Sequence, residues 1–382
     1  MDKEIVALDV NQTWELVPLP EGKKAIGCKW VYKVKHNTDG TIERYKARVV
    51  AKGYAQTYGI DYEDTFALVA KMVTVRTVIA VAAAKRWFMH QMDVKNAFLQ
   101  GELQEEVYVE KPLGYEDGKQ DYVCQLHKAL YGLKQAPRAW HDRIIEYLLR
   151  IGFCMSHADH SHYVRQSDAR FALIGFCMSH ADHSLYVCQS DARFVLITIY
   201  VDDLIIVGDS EIEIEHVKGL LKKDFEMKDL GELRYFFGLE DCGQSHLLDY
   251  HAARFELYSG TLEFMQLSQK PHLDGVCCTL HYVRASLDHA LFYAADVPME
   301  LHGYTDADWA SSATDQWSTS SFMFTLGSVA ITWSSKKQPT IALSSTEAEY
   351  RGAAVATCEV AWFMQATYGF EAAGGQRDWH LL

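Results

Sequence analysis

The sequence contains no long hydrophobic run. No uncharged apolar stretch in its 382 residues approaches the roughly 18–20 that span a bilayer. The opening MDKEIVALDV lacks the basic start and apolar run of a signal peptide. The expectation is a soluble chain in a reducing, cytoplasmic setting, with no membrane association. The cysteines agree with this. There are nine, an odd number, and no Cys-x-x-Cys occurs, so neither a disulfide framework nor a zinc site is indicated. A net positive charge is missing too. The balance of 37 basic against 51 acidic residues, −14, argues against a surface coated in phosphate-binding groups.

What is present is an ordinary globular composition, 49% apolar and 23% charged, in a chain long enough for two or three domains. The charge is uneven. Between Lys23 and Lys52 nine basic residues face two acidic ones, Asp39 and Glu43, a local balance of +7. That segment is either a polyanion-binding lobe or a solvated basic hairpin. Its text, KWVYKVKHNTDGTIERYKARVVAKG, alternates apolar and polar residues on both sides of NTDG and predicts two paired strands over 29–52. TVRTVIAVAAAKRW (74–87), free of Gly and Pro, predicts a largely buried helix, and FMHQMDV a strand after it. APRAWHDRIIEYLLRIGF predicts a helix with Pro137 in its first turn and Gly152 near its end.

Residues 151–173 are then repeated at 174–196 with few differences. Two units are too few for a solenoid, so the duplication reads as an accident of the gene. SHADHSH offers His157, Asp159, His160 and His162 as metal ligands, but such residues before a strand are ordinary turn chemistry. Residues 241–300 lack clear periodicity. Beyond them, three strand-like runs and an Ala-rich helix starting near Ser345 form an α+β unit, and EAAGGQRDWHLL reads as a frayed end.

The chemical question is posed by ITIYVDDLIIVGD (197–209), where Asp202 and Asp203 sit side by side between apolar runs. Adjacent carboxylates repel, and one takes up a proton unless a cation is near. Magnesium favours carboxylate oxygens and takes its remaining ligands from substrate phosphates. A hairpin with the aspartates at its tip would face them into a cleft, where Asp tolerates a left-handed backbone. Asp93 in HQMDVKNAFLQGEL ends a second apolar strand. Two strands each presenting Asp could hold two metals about 4 Å apart, which suits phosphoryl or nucleotidyl transfer.

YVDD within an apolar hairpin resembles the polymerase signature of reverse transcriptases. CKWVYKVKHNTDGTIERYKARVVAKGYAQTYGIDYEDTF, MDVKNAFLQGEL, ALYGLKQAPRAWHD, YVDDLIIVG and FEMKDLGELRYFFGLE follow in the order found in copia-type LTR retrotransposon Pol polyproteins, covering about residues 10–240. Residues 303–363 resemble the ribonuclease H domain of the same polyprotein. The resemblance implies an α+β fold: a right-hand polymerase of fingers and palm with an antiparallel sheet over 1–240, then a thumb or connection remnant over 241–302. A partial ribonuclease H-like α/β unit would span 303–368 and a tail 369–382. It implies RNA-directed DNA polymerase activity with an RNA template, a DNA primer and dNTPs as partners. Asp93, Asp202 and Asp203 would carry two Mg²⁺ ions. Lys46 and Arg48 would reach the triphosphate, Phe98 would exclude a 2′-hydroxyl, and Tyr131 and Gly132 would line the nucleotide pocket. Lys52, Lys134 and Arg138 would touch nucleic acid. Asp306 in YTDADW and Glu349 in STEAEY match carboxylates of the ribonuclease H metal site, with Glu347 and Asp308 the weaker choices.

The chain departs from the family pattern in several places. The duplication precedes the strand that delivers Asp202, so two near-identical strands compete for one register. Ala67-Leu68 stands where Ser-Pro is usual. Only about sixty residues separate Glu240 from Tyr304, too few for a full thumb. Ser311, Ser321 and Trp317 replace residues usual in the second unit, and Asp378 is not in a matching context for a further ribonuclease H ligand. A catalytically dead remnant, at most a non-catalytic RNA or DNA binder, is therefore the alternative reading.

Overall fold

The structure is a computed structural model. It describes residues 1–36, 40–65, 70–115, 121–155, 185–190, 193–236, 239–241, 247–249, 270–285, 291–293, 297–311 and 315–371. The SHADHSH histidines, Ala67-Leu68 and Asp378 lie outside the described residues. No helix among the described residues is long and apolar enough to cross a membrane. Cys28, Cys124, Cys277, Cys278 and Cys358 are free thiols.

The expected hairpin forms. Strand β2 (Cys28–His36) pairs antiparallel with β3 (Ile42–Ala51) from Cys28↔Ala51 outward. Because side chains alternate along a strand, Lys29, Val31, Lys33 and Lys35 share one face with Arg44, Lys46, Arg48 and Val50. Trp30 and Val49 lie on the other face and pack into the core together with Leu8 of helix α1 (Asp2–Val10). The same core holds β1 (Trp14–Pro18), β5 (Glu102–Val109) and β6 (Tyr122–Lys128), a sheet in the order β1-β6-β5.

A six-stranded antiparallel sheet carries the aspartates. Its order is β11 (Met227–Glu232), β4 (Phe88–Val94), β10 (Asp203–Gly208), β9 (Arg193–Tyr200), β8 (Leu185–Ser190) and β7 (Cys154–Met155). Both faces are covered, as its near-continuous Ile, Val and Leu runs require. Met92, Leu204 and Ile206 face α3 (Ala136–Arg150) and α4 (Glu211–Asp224). Ile205 and Val207 face α2 (Met72–Ala84), whose Ala and Val residues are almost all buried. The helix stops short of Trp87 because Arg86 turns left-handed at φ 54°, while α3 ends as expected before Gly152 at φ 96°.

The competition between the repeat copies has a definite outcome in the sheet. Strand β8, from the second copy, pairs with β9 over Leu185↔Thr198 to Ser190↔Arg193. Cys154 and Met155 of the first copy add to its far edge, opposite Val187 and Tyr186. The sheet thus takes its edge from the opening of copy one and its inner strand from copy two. The intervening residues 156–184 lie outside the described residues.

Residues 241–300, which showed no clear periodicity, include β14 (Leu247–Asp249), α5 (Lys270–Ala285) and β15 (Leu291–Tyr293), linked in one small sheet to β13 (Leu239–Asp241) and β12 (Tyr235–Phe236). The second unit follows the expected pattern. Strands β16 (Leu301–Asp308), β17 (Thr319–Leu326) and β18 (Val329–Lys337) form a meander, and α6 (Ser345–Glu371) follows. One hydrophobic core runs from Val75 and Ile79 of α2 through Tyr293 to Phe324, Ile331 and Ala356, so the two sheets pack on a common helix.

Candidate active site

The two aspartate-bearing segments, more than a hundred residues apart in sequence, become direct neighbours. Asp203 opens β10 opposite Asp93 of β4, while Asp93 faces Lys228 of β11 and Asp203 faces Tyr200 of β9. Directly opposed residues present their side chains on the same face, so Lys228, Asp93, Asp203 and Tyr200 form a row across one end of the sheet. The Val94 amide donates to the Asp202 carbonyl at 2.8 Å and ties the turn to β4.

The tip is a two-residue turn, Val201-Asp202, between paired Tyr200 and Asp203. The left-handed residue there is Val201, at φ 57°, and not an aspartate. A β-branched residue pays a steric cost in this region. It is held by Trp140 of α3, itself 2% exposed, whose indole Nε1 donates to the Val201 carbonyl at 2.8 Å.

Asp203 is the perturbed carboxyl group. Burial pushes it up, an accepted hydrogen bond from Gln91 Nε2 (3.1 Å) pulls it down, and the charges of Asp202 and Asp93 raise it again, to about 6. This is the electrostatic conflict anticipated for paired aspartates. Among the described residues, no three His, Cys, Asp or Glu side chains stand together as a group able to hold a metal ion.

Facing the aspartates is a cavity of 1130 Å³ lined by Lys46, Arg48, Tyr131, Gly132, Asp93 and Asp202, and also by Lys95 and Lys228. Arg48 lies 4.1 Å over the Tyr131 ring, a cation–π contact, and Phe98 packs against the same ring at 5.0 Å. Burial, the first cause, pushes the Tyr131 hydroxyl up to about 12. Gly132, at φ 90°, cannot be replaced without collision, since a Cβ there would stand 2.2 Å from the Ala51 carbonyl. The Ala51 amide in turn donates to Tyr131 at 2.7 Å, which brings the basic strand β3 against the aromatic corner of the pocket.

Other sequence-predicted residues lie away from this cavity. Lys52 sits beside Gly27 and Glu110. Lys134 donates to the Tyr62 hydroxyl (3.0 Å) and lies over its ring, and Arg138 bridges Asp64 and Asp142 at 3.4 and 3.5 Å. These cations brace the 56–64 loop against α3. In the second unit, Asp306 is on β16 and Glu349 on α6, both exposed. A Cβ on Gly352 of α6 would meet Thr305 and Ala307, so strand alternation turns Asp306 to the other face of the sheet. Glu347 is occupied locally: it accepts from the Leu343 amide (2.8 Å) and pairs with Arg351 (2.6 Å).

Sequence reasoning missed Lys228, Gln91 and Trp140. FEMKDLGE and QAPRAW contain two of them, but only the three-dimensional pairing shows that they meet the aspartates.

The antiparallel sheet thus sets two strand-borne aspartates before a basic, aromatic-walled cavity. The chain belongs to the reverse transcriptase family: residues 11–179 and 168–255 match the family profile described as Reverse transcriptase (RNA-dependent DNA polymerase). The two matches overlap within the duplicated segment. The chain is 36% identical, over 95% of its length, to the retrovirus-related Pol polyprotein from transposon RE1 of Arabidopsis thaliana. It is 32% identical, over the same share, to that from transposon TNT 1-94 of Nicotiana tabacum. The putative transposon Ty5-1 protein of Saccharomyces cerevisiae is 28% identical over 70% of this chain and all of its own length. The chain spans 27% and 31% of the two Pol polyproteins. By descent it is an RNA-directed DNA polymerase segment of a copia-type element.

Proposed function

We propose that the chain carries out template-directed nucleotidyl transfer with an RNA template, a DNA primer and dNTPs. One observation carries this reading: Asp93 and Asp203 stand in direct cross-strand register, at the end of the sheet that faces the cavity shared by Asp93, Asp202, Lys46, Arg48 and Tyr131. The primer 3′-oxygen would attack the α-phosphorus and pyrophosphate would leave. Lys46 and Arg48 would neutralise the triphosphate, Tyr131 and Gly132 would wall the pocket, and Phe98 behind Tyr131 would set the space at the sugar. Lys52, Lys134 and Arg138 would serve the nucleic-acid path through the segments they brace.

Reverse transcriptases generally use Mg²⁺. The donor chemistry here suits it, because an all-oxygen carboxylate set with one member raised to about 6 gains most from a hard divalent cation. Asp93, Asp202 and Asp203 would hold the ion, which would neutralise charge developing on the phosphates. Primer extension on poly(rA)–oligo(dT) with Mg²⁺ tests the proposal. Incorporation is expected, with loss of at least a hundredfold for Asp93→Asn or Asp203→Asn, as for a step that rests on charge neutralisation. Incorporation no higher than that of Asp202→Asn would overturn it.

The basic face of the β2–β3 hairpin supports a second reading, a non-catalytic binder of RNA–DNA hybrid. That protein would bind hybrid with a steep salt dependence and no turnover. Joint neutralisation of Lys46, Arg48 and Lys52 would abolish its binding. By resemblance Asp306 and Glu349 would descend from a ribonuclease H site, but strand alternation turns Asp306 away from α6, so the two form no shared site here.

A further inference from the structure

Helix α1 carries a carboxylate into the basic face of the hairpin. Glu4 lies one turn before Leu8 on the buried side of the helix, where an apolar residue would pack without penalty, yet it is only 8% exposed. Its Oε1 has no hydrogen-bond partner. Arg48 Nε, a donor, is also buried and also without one. Both residues line the cavity that holds Asp93 and Asp202.

The cations around Glu4 explain its retention. Lys33 stands directly opposite Lys46, and Lys35 directly opposite Arg44, so like charges are paired across the hairpin. Burial first, and then Arg48, Arg44 and Lys35, disfavour the charge on Lys46, whereas Glu4 favours it. Burial raises the Glu4 carboxyl, while the Val49 amide and the charges of Arg48 and Lys46 pull it back.

We propose that Glu4 is the resident counter-ion of the polyphosphate subsite. It is a fixed anion on the cavity wall that also presents Lys46 and Arg48, and it weakens nucleotide binding by opposing its charge. The inference rests on the nucleotide site proposed above, and it adds a specific cost: an incoming triphosphate must share these cations with a fixed anion.

The test is equilibrium binding of Mg²⁺·dTTP to the full chain by calorimetry at low salt. Glu4→Gln is isosteric and its amide oxygen can still accept from Val49. It is expected to bind about three- to tenfold tighter, the size of one partly screened charge a few ångströms away, and the gain should fade as salt rises. In an Arg48→Gln background the same substitution should have little effect, since the pair is what is being measured. Glu4→Asp keeps the charge but retracts it by one methylene, and is the second variant should Glu4→Gln not fold; it is expected to fall in between. Unchanged or weaker binding by Glu4→Gln, with a wild-type melting temperature, would overturn the inference and leave the nucleotide site standing. No binding by either protein would remove the nucleotide site itself, and this inference with it.

Discussion

Val201 shows how single residues hold the site. Its left-handed backbone is unusual for a β-branched side chain, and such conformations cost of order 1–3 kcal/mol. The indole of Trp140 fixes the carbonyl of this residue, so one buried aromatic offsets part of that strain. Val201→Gly relieves the clash at some cost in unfolded-state entropy, and urea denaturation should show a gain of up to about 1 kcal/mol. Trp140→Phe keeps most of the packing but leaves the carbonyl unpartnered. It should lose about 2 kcal/mol by the same measurement, and loss of Val201→Gly's benefit in that background would show that the two act on one turn. A neutral effect of Trp140→Phe would mean that the hydrogen bond does not hold the tip. The sequence made the aspartates visible at this scale, because a charged pair within an apolar run is a local anomaly. Which residue bends left-handed was not visible, since Asp is the better intrinsic candidate and the turn geometry places Val there instead. Nor were the partners of Lys134 and Arg138, which come from a loop about seventy residues earlier.

Elements behind the site are joined by an ion network around one buried lysine. Lys218 of α4, 2% exposed, reaches Glu215 at 2.5 Å, Asp229 of β11 at 2.8 Å and His90 Nδ1 of β4 at 3.1 Å. It clamps the helix to the strand that carries Asp93. Lys218→Met would leave its partly exposed acidic partners without this cation, and a loss of about 1–2 kcal/mol is expected in chemical denaturation. The network also sets a pH dependence. Burial alone would raise Asp229, but hydrogen bonds from Lys218, Lys222 and the Gly231 amide outweigh it and hold the carboxyl well below the usual range. The unfolded chain therefore binds this proton first, at pH near 4. The stabilisation is present above that pH and is lost as pH falls further toward the folded value. Burial and the charge of Lys218 push His90 down, against the pull of its acidic neighbours, so its contribution is lost earlier, as pH falls below about 6.5. Melting temperature should decline in two stages, and Asp229→Asn should flatten the lower one. An unchanged lower stage in that variant would show that Asp229 does not supply it. Local pattern makes β4 legible, whereas α4 and β11 are not read from periodicity. The pairing of Asp93 with Asp203, and of α4 with β11, depends on register between distant segments, which no local pattern encodes.

At the scale of the whole molecule, the two sheets pack on one helix. The buried face of α2 meets Ile205 and Val207 on one side and Tyr293, Phe324 and Ile331 on the other. Arg76 of α2 adds a cation–π contact at 4.3 Å to Trp333 of β18. Composition and resemblance divide the chain at about residue 240 and again at 303, but that α2 buries its Ala and Val residues against two partners depends on packing that no local pattern encodes. A helix shared in this way couples the stabilities of the parts it joins. Ile79→Ala in α2 and Ile331→Ala in β18 each remove a fully buried side chain and should cost about 2–5 kcal/mol. If the core is continuous, calorimetry will show one cooperative transition whose midpoint both variants lower, even though the substitutions lie in separate sheets' surroundings. Two transitions, with Ile331→Ala moving only one of them, would mean that the unit built from β16–β18 and α6 unfolds independently and that the aspartate-bearing sheet owes it no stability.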